Sequence, residues 1–161
     1  MQFEPITSFT GENRFLSNFH SSPVLWLGLT YPTVEHAYQA AKVAPQVLNY
    51  AQLTHNIRHA TTPGQAKRMG RNAPLRDDWN TVKLEIMRML IEEKFFHTEL
   101  RKALMDTAPC EIIEGNTWGD RYWGVSGGYG ANHLGCILMD KRKRCMQTYK
   151  DTTLAQEERR D

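Results

Sequence analysis

Glu35, Gln39 and Lys42 stand at i, i+4 and i+7, a spacing that lines up a carboxylate, an amide and an ammonium on one face of a helix. Val34, Ala37, Tyr38 and Ala41 form an apolar stripe on the other side. The polar row could be chemical machinery or a solvated helix flank with incidental polar pairs, and the pattern alone admits both. His36 lies between the two faces and reads either as a proton carrier or as a packed or capping residue.

A second concentration of chemistry is Trp118-Gly119-Asp120-Arg121-Tyr122-Trp123-Gly124. Its aromatic rings offer stacking faces for a base, and its glycines allow backbone amides to approach a phosphate closely. The competing reading makes Trp118 and Trp123 core anchors and Asp120 a turn residue. Gly127-Gly128-Tyr129-Gly130 lacks the strand and helix context of a dinucleotide fingerprint. Cys110, Cys136 and Cys145 are widely spaced and the histidines are scattered, so neither a disulfide framework nor a metal site is expected; the thiols read as reduced and mostly buried.

The elements that must hold these groups are mostly helices. Residues 1–31 alternate short apolar runs with turn formers and read as short strands and loops. Thr33 is suited to cap a helix carrying Glu35, and Pro45 ends or interrupts it. Further helices are expected from Gln46 to about His55, and from Pro63 to Met69 with Thr62 as cap and Gly70 as exit. The longest is expected after Asp77-Asp78, with Val82, Ile86, Met89, Leu90 and Phe96 as its apolar stripe and scaffold. A short helix from Thr98 to Leu104 precedes a strand over residues 110–114, and a final helix starts near Asn132. Seven of the eleven glycines fall between Gly115 and Gly135, and the tryptophans among them argue for a functional loop rather than a disordered one.

At 161 residues the chain suits one domain, expected over residues 1–146, with a polar tail at 147–161 that can fray. No apolar run is long enough to span a bilayer, and Met1-Gln2-Phe3-Glu4 does not open a signal peptide, so a cytoplasmic setting is expected. A net charge of +2 does not demand a polyanionic partner. Lys67, Arg68, Arg71 and Arg76 form one basic stretch and residues 141–144 another, the second reading as a solvated face.

The order of motifs adds more than any single one. Phe15-Leu16-Ser17-Asn18-Phe19, Thr33-Val34-Glu35-His36 with Gln39 and Lys42, Ala66, Met69-Gly70-Arg71, Pro74-Leu75-Arg76, Trp79 and Lys94-Phe95 follow one another in the chain. They are followed by Asp120-Arg121-Tyr122-Trp123-Gly124, Asn132-His133-Leu134-Gly135, Leu138-Met139 and Arg142. This series, over about residues 9–144, resembles the NADAR family with its YbiA-like bacterial members. Val34 departs from the pattern, because YbiA-like members often place a small polar residue before the Glu-His pair.

The resemblance implies a compact, helix-rich α+β domain with short strands, and N-glycosidase chemistry on ribose-linked compounds. YbiA-like members hydrolyse phosphoribosylamino pyrimidine intermediates of riboflavin biosynthesis, releasing ribose 5-phosphate, and other members remove ADP-ribose from guanine. It further implies Glu35, Asp120 and Lys42 as the catalytic set. Glu35 would stabilise the oxocarbenium-like sugar or activate water, Asp120 would protonate or hold a ribose hydroxyl, and Lys42 would bind phosphate or attack the opened sugar. Asn18, Gln39, Arg71, Trp79, Trp123 and Asn132 are the implied substrate-binding positions. A small phosphorylated riboside is the expected partner, with ADP-ribosylated nucleic acid as the alternative and no cofactor, metal or membrane. A catalytically silent nucleotide-binding module would be a third reading, against which stands the retention of Glu35, Lys42 and Asp120 together.

Overall fold

The computed structural model describes residues 3–157; Met1 and Gln2, and residues 158–161 of the expected tail, lie outside the described residues. The fold is helix-rich α+β: a 3-10 helix (Gly11–Leu16), a hairpin of β1 (Val24–Trp26) and β2 (Leu29–Tyr31), and helices α1 (Val34–Ala41), α2 (Tyr50–Arg58), α3 (Pro63–Asn72), α4 (Trp79–Lys94), α5 (Thr98–Asp106) and α6 (His133–Glu157). Val24 faces Tyr31 and Trp26 faces Leu29 in antiparallel register. The turn between them uses Leu27 and Gly28, both at positive φ, as a tight hairpin of this twist requires.

The chain gathers into two compact units, one from Arg14 to Lys94 and one from the segments on either side of it. In the first, α1 packs against α2, α3, α4 and both strands of the hairpin. All eight of its residues are buried, polar ones included. Ala37, Ala40 and Ala41 keep its girth small, which suits a helix enclosed by neighbours. The solvated-flank reading of the Glu35 row is therefore overturned.

Several element boundaries differ from the sequence expectation. α2 starts at Tyr50 rather than Gln46. α3 runs through Gly70 to Asn72, so this glycine is interior to the helix. α4 buries Trp79, Ile86, Met87, Leu90, Ile91 and Lys94. Met89 and Phe96, expected on its stripe, are exposed. The longest helix is α6, which continues through residues 147–157 of the expected tail.

In the second unit α5 packs on α6, and Ile6 forms a parallel bridge to Ile112. The expected strand over residues 110–114 is thus reduced to a single bridge at Ile112, with a further parallel bridge just beyond it between Gly115 and Val125. Arg142 corrects the reading of residues 141–144 as solvated: it is buried and donates to the Thr107 carbonyl and hydroxyl and to the Cys110 carbonyl at 2.8–3.1 Å. Of the three cysteines only Cys145 is buried. Among the described residues, no helix is long and apolar enough to cross a membrane.

Candidate active site

The α1 helix is started by Thr33, whose hydroxyl oxygen accepts from the His36 backbone N–H. The His36 ring completes this cap. Its Nε2 lies 3.1 Å from the Ala60 carbonyl, which can only accept, so Nε2 carries the proton and Nδ1 accepts from the Thr33 hydroxyl at 2.8 Å. Burial lowers the His36 pKa, favouring this neutral form. His36 is accordingly a packed, capping residue rather than a proton carrier.

A polar row begins in the first turn of the helix. The Glu35 backbone N–H donates to the Asn18 carbonyl, which ties the motif loop to the start of α1. Its side-chain Oε1 accepts from Gln39 Nε2 at 2.7 Å, and Gln39 Oε1 accepts from Lys42 Nζ at 3.1 Å. Glu35 is 5% exposed and Gln39 3%. The carboxylate falls in the first turn and the ammonium at the C-cap, which is the charge order the helix dipole favours.

Lys42 is half-buried, and desolvation lowers its pKa. Glu35 opposes that shift, whereas Lys67 and Arg71 of α3 reinforce it. Two further cations therefore act on the C-cap end of α1, while the Glu35 carboxylate acts on it from the first turn. The motif Pro74-Leu75-Arg76 supports it from below: Ala44 donates to the Pro74 carbonyl, Arg76 donates through its backbone to the Lys42 carbonyl, and Val43 bridges Leu75. The Arg76 side chain is engaged by Asp78 in a two-pronged pair at 2.6 and 2.9 Å, which separates it from the rest of the basic stretch.

Around this row the structure places the other expected residues of the same unit. Asn18 donates to Met87 Sδ at 3.5 Å, while its buried Oδ1 has no hydrogen-bond partner among the described residues, an arrangement that leaves an acceptor for a bound hydroxyl or amine. Trp79 is 6% exposed and tilts against Tyr38 with ring centroids 5.0 Å apart, so it has little open face to offer a base. Lys67 lies 5.8 Å over the Phe19 ring, and Arg71 is exposed.

Asp120, Trp123 and Asn132 belong to the other unit, where each has a local partner. Asp120 Oδ1 accepts from the backbone N–H of Tyr122 and Trp123 at 3.0 and 2.9 Å, the geometry of a turn-forming aspartate. Trp123 meets Tyr122 edge-on at 4.9 Å, with His133 beside them. Asn132 accepts from the Glu114 N–H and donates to the Ile112 carbonyl, pinning the glycine-rich loop to the segment before it. Gly124 is required there, since a Cβ would fall on the Glu114 carbonyl oxygen. Among the described residues, no group of three or more His, Cys, Asp or Glu is placed to hold a metal ion.

Sequence reading missed two residues. Gly70, expected at a helix exit, sits where α3 meets α1: a Cβ on it would fall on Gln39 Oε1 and come within 2.8 Å of Gln39 Cβ. A glycine inside an otherwise helical pattern was the available signal. Lys94, noted only within its motif, is fully buried on α4 with Nζ donating to the Ser17 carbonyl at 2.7 Å, and burial lowers its pKa to about 7.

Residues 6–146 match the NADAR domain. The chain is 42% identical over 132 residues to the N-glycosidase YbiA of Shigella flexneri serotype 5b, covering 80% of this chain and 79% of that protein. It is 34% identical over 137 residues to a riboflavin biosynthesis protein of Vibrio vulnificus, covering 83% of this chain and 36% of that longer protein. The solved NMR structure of Escherichia coli YbiA superposes with a TM-score of 0.76 at 36% identity, covering 92% of this chain and 89% of that one. With matches of this extent, the chain belongs to the NADAR family and is an N-glycosidase.

Proposed function

We propose that this N-glycosidase hydrolyses a small phosphorylated riboside, a phosphoribosylamino pyrimidine of riboflavin biosynthesis, to ribose 5-phosphate and the free amine, as one domain over residues 1–146 in the cytoplasm. The observation that carries the reading is the Glu35–Gln39–Lys42 row, buried at Glu35 and Gln39, with Lys67 and Arg71 acting on its cationic end. Cleavage of a ribosyl C–N bond builds positive charge on the sugar ring, and a carboxylate held in a low-dielectric site stabilises that charge or takes a proton from the attacking water. Water forms the new bond at the anomeric carbon, and the departing nitrogen takes a proton. The cations suit the sugar phosphate, which is multiply charged and gripped best by several donors together.

The buried Asn18 Oδ1 suits a sugar hydroxyl. Asp120, as the second acid, and Trp79, Trp123 and Asn132, as binding residues, remain candidates on the motif alone. The Vibrio vulnificus relative's name supports the riboflavin assignment.

Purified protein offered a phosphoribosylamino pyrimidine, its dephosphorylated analogue and ADP-ribosylated DNA should show the highest kcat/KM on the first, with ribose 5-phosphate as product. A higher kcat/KM on the modified DNA, falling steeply with added salt, replaces the substrate with a nucleic-acid one. Release of sugar from none of the three overturns this substrate assignment.

A further inference from the structure

Two opposite charges on one face of α1, seven residues apart, would draw together in a poorly solvated site unless something held them. Gln39 lies between them. Its orientation is fixed by its partners: a carboxylate only accepts hydrogen bonds and an ammonium only donates them. Nε2 must therefore face Glu35 and Oε1 must face Lys42, as the 2.7 and 3.1 Å bonds have it. Reversing the amide would set donor against donor and acceptor against acceptor.

The Gln39 side chain is also confined sterically. It is 3% exposed, and the space across from it on α3 is Gly70, where any Cβ would collide with it. Glycine is the poorest helix former after proline, yet it occupies the interior of α3 at this one contact. A side chain there would push the amide off its two partners.

We propose that Gln39 is a positioning residue for the glycosidase reaction, holding the Glu35 carboxylate and the Lys42 ammonium oriented and apart, and that Gly70 locks it in that pose. The inference rests on Glu35 as the reacting carboxylate and replaces the substrate contact that the motif assigned to Gln39. Lys42 is the reporter of this arrangement, because the charged groups acting on it are Glu35 on its own helix and Lys67 and Arg71 on α3.

The test is Gly70→Ala, which touches neither Glu35 nor Lys42, together with Gln39→Glu and the double variant Gly70→Ala/Gln39→Ala. Gly70→Ala should lower kcat at least about tenfold with KM within about twofold, the signature of lost orientation rather than lost binding. The double variant regains room between the helices, so its melting temperature should recover while kcat stays low. Recovery of kcat in the double variant, or wild-type kcat in Gly70→Ala, overturns the proposal.

A readout that needs no substrate is the NMR titration of the Lys42 ε-methylene in the free protein. Its midpoint should fall in Gly70→Ala, where the acceptor is displaced, and rise in Gln39→Glu, where a carboxylate replaces it. Unmoved midpoints refute the lock even if Glu35→Gln is inactive. Moved midpoints alongside an active Glu35→Gln uphold the coupling and refute only the role given to Glu35.

Discussion

Replacing Glu35 by Gln tests the reaction chemistry most directly, because it keeps the side-chain shape and removes the charge. Glu35 is 5% exposed and already hydrogen-bonded to Gln39, so its carboxylate acts from a fixed, poorly solvated position. Unit charges about 4 Å apart at an effective dielectric constant of ~20 attract by ~4 kcal/mol. At about 1.4 kcal/mol per decade, that is roughly a thousandfold in rate for a charge developing fully on the sugar. A glutamine dipole and partial charge development reduce the effect, leaving an expected loss of at least about a hundredfold in kcat. The fold should survive: the Gln39 bond loses its charge assistance, but the desolvation cost of a buried carboxylate disappears with it. A net change within ~1 kcal/mol corresponds to about 2–4 °C in Tm for a domain of this size. The assay is release of ribose 5-phosphate at saturating substrate, with circular dichroism and thermal melting as the folding control. Turnover near wild type in a folded Glu35→Gln protein would refute the assignment of this carboxylate to the chemistry.

Charge reversal at Lys67 and Arg71, which act on Lys42 from α3, should raise KM for the phosphorylated riboside about tenfold or more and leave the dephosphorylated analogue nearly unaffected. An equal rise for both compounds would show that the cations do not read the phosphate. The buried Lys94 predicts a pH dependence of stability. Its pKa is lowered to about 7 in the folded state and returns to its ordinary value near 10.4 on unfolding. Between those values the unfolded chain binds more protons, so this group makes stability rise with pH, by at most about 1.4 kcal/mol per unit. Urea midpoints at pH 7 and pH 9.5 should therefore increase more in the wild-type protein than in Lys94→Met, and parallel pH slopes would contradict the depressed pKa.

Much of the local structure was legible because its causes are local. Thr33 before an apolar stripe, Thr62-Pro63, and the turn formers around Gly28 each act within a few residues, and a cap or hairpin turn follows from that chemistry. The ordered motifs likewise carried the family, since a series of short matches in one order over most of the chain depends on no three-dimensional detail. The spacing of Glu35, Gln39 and Lys42 also put them on one helix face by the geometry of the backbone alone.

What the tertiary structure decided is everything that depends on what lies opposite. Periodicity cannot separate an exposed polar face from a buried polar row, and only the packing of α2, α3, α4 and the hairpin around α1 made Glu35 and Gln39 inaccessible. The same limit hid Gly70, whose meaning comes from a glutamine thirty-one residues earlier in the chain. It also hid Arg142, which reads as one more cation in a charge run until the carbonyls it binds at Thr107 and Cys110 are seen. Sequence fixes which groups a segment carries and which way its backbone turns them. Burial, and with it the dielectric, the pKa and the hydrogen-bond partner, belongs to the chain brought alongside from elsewhere.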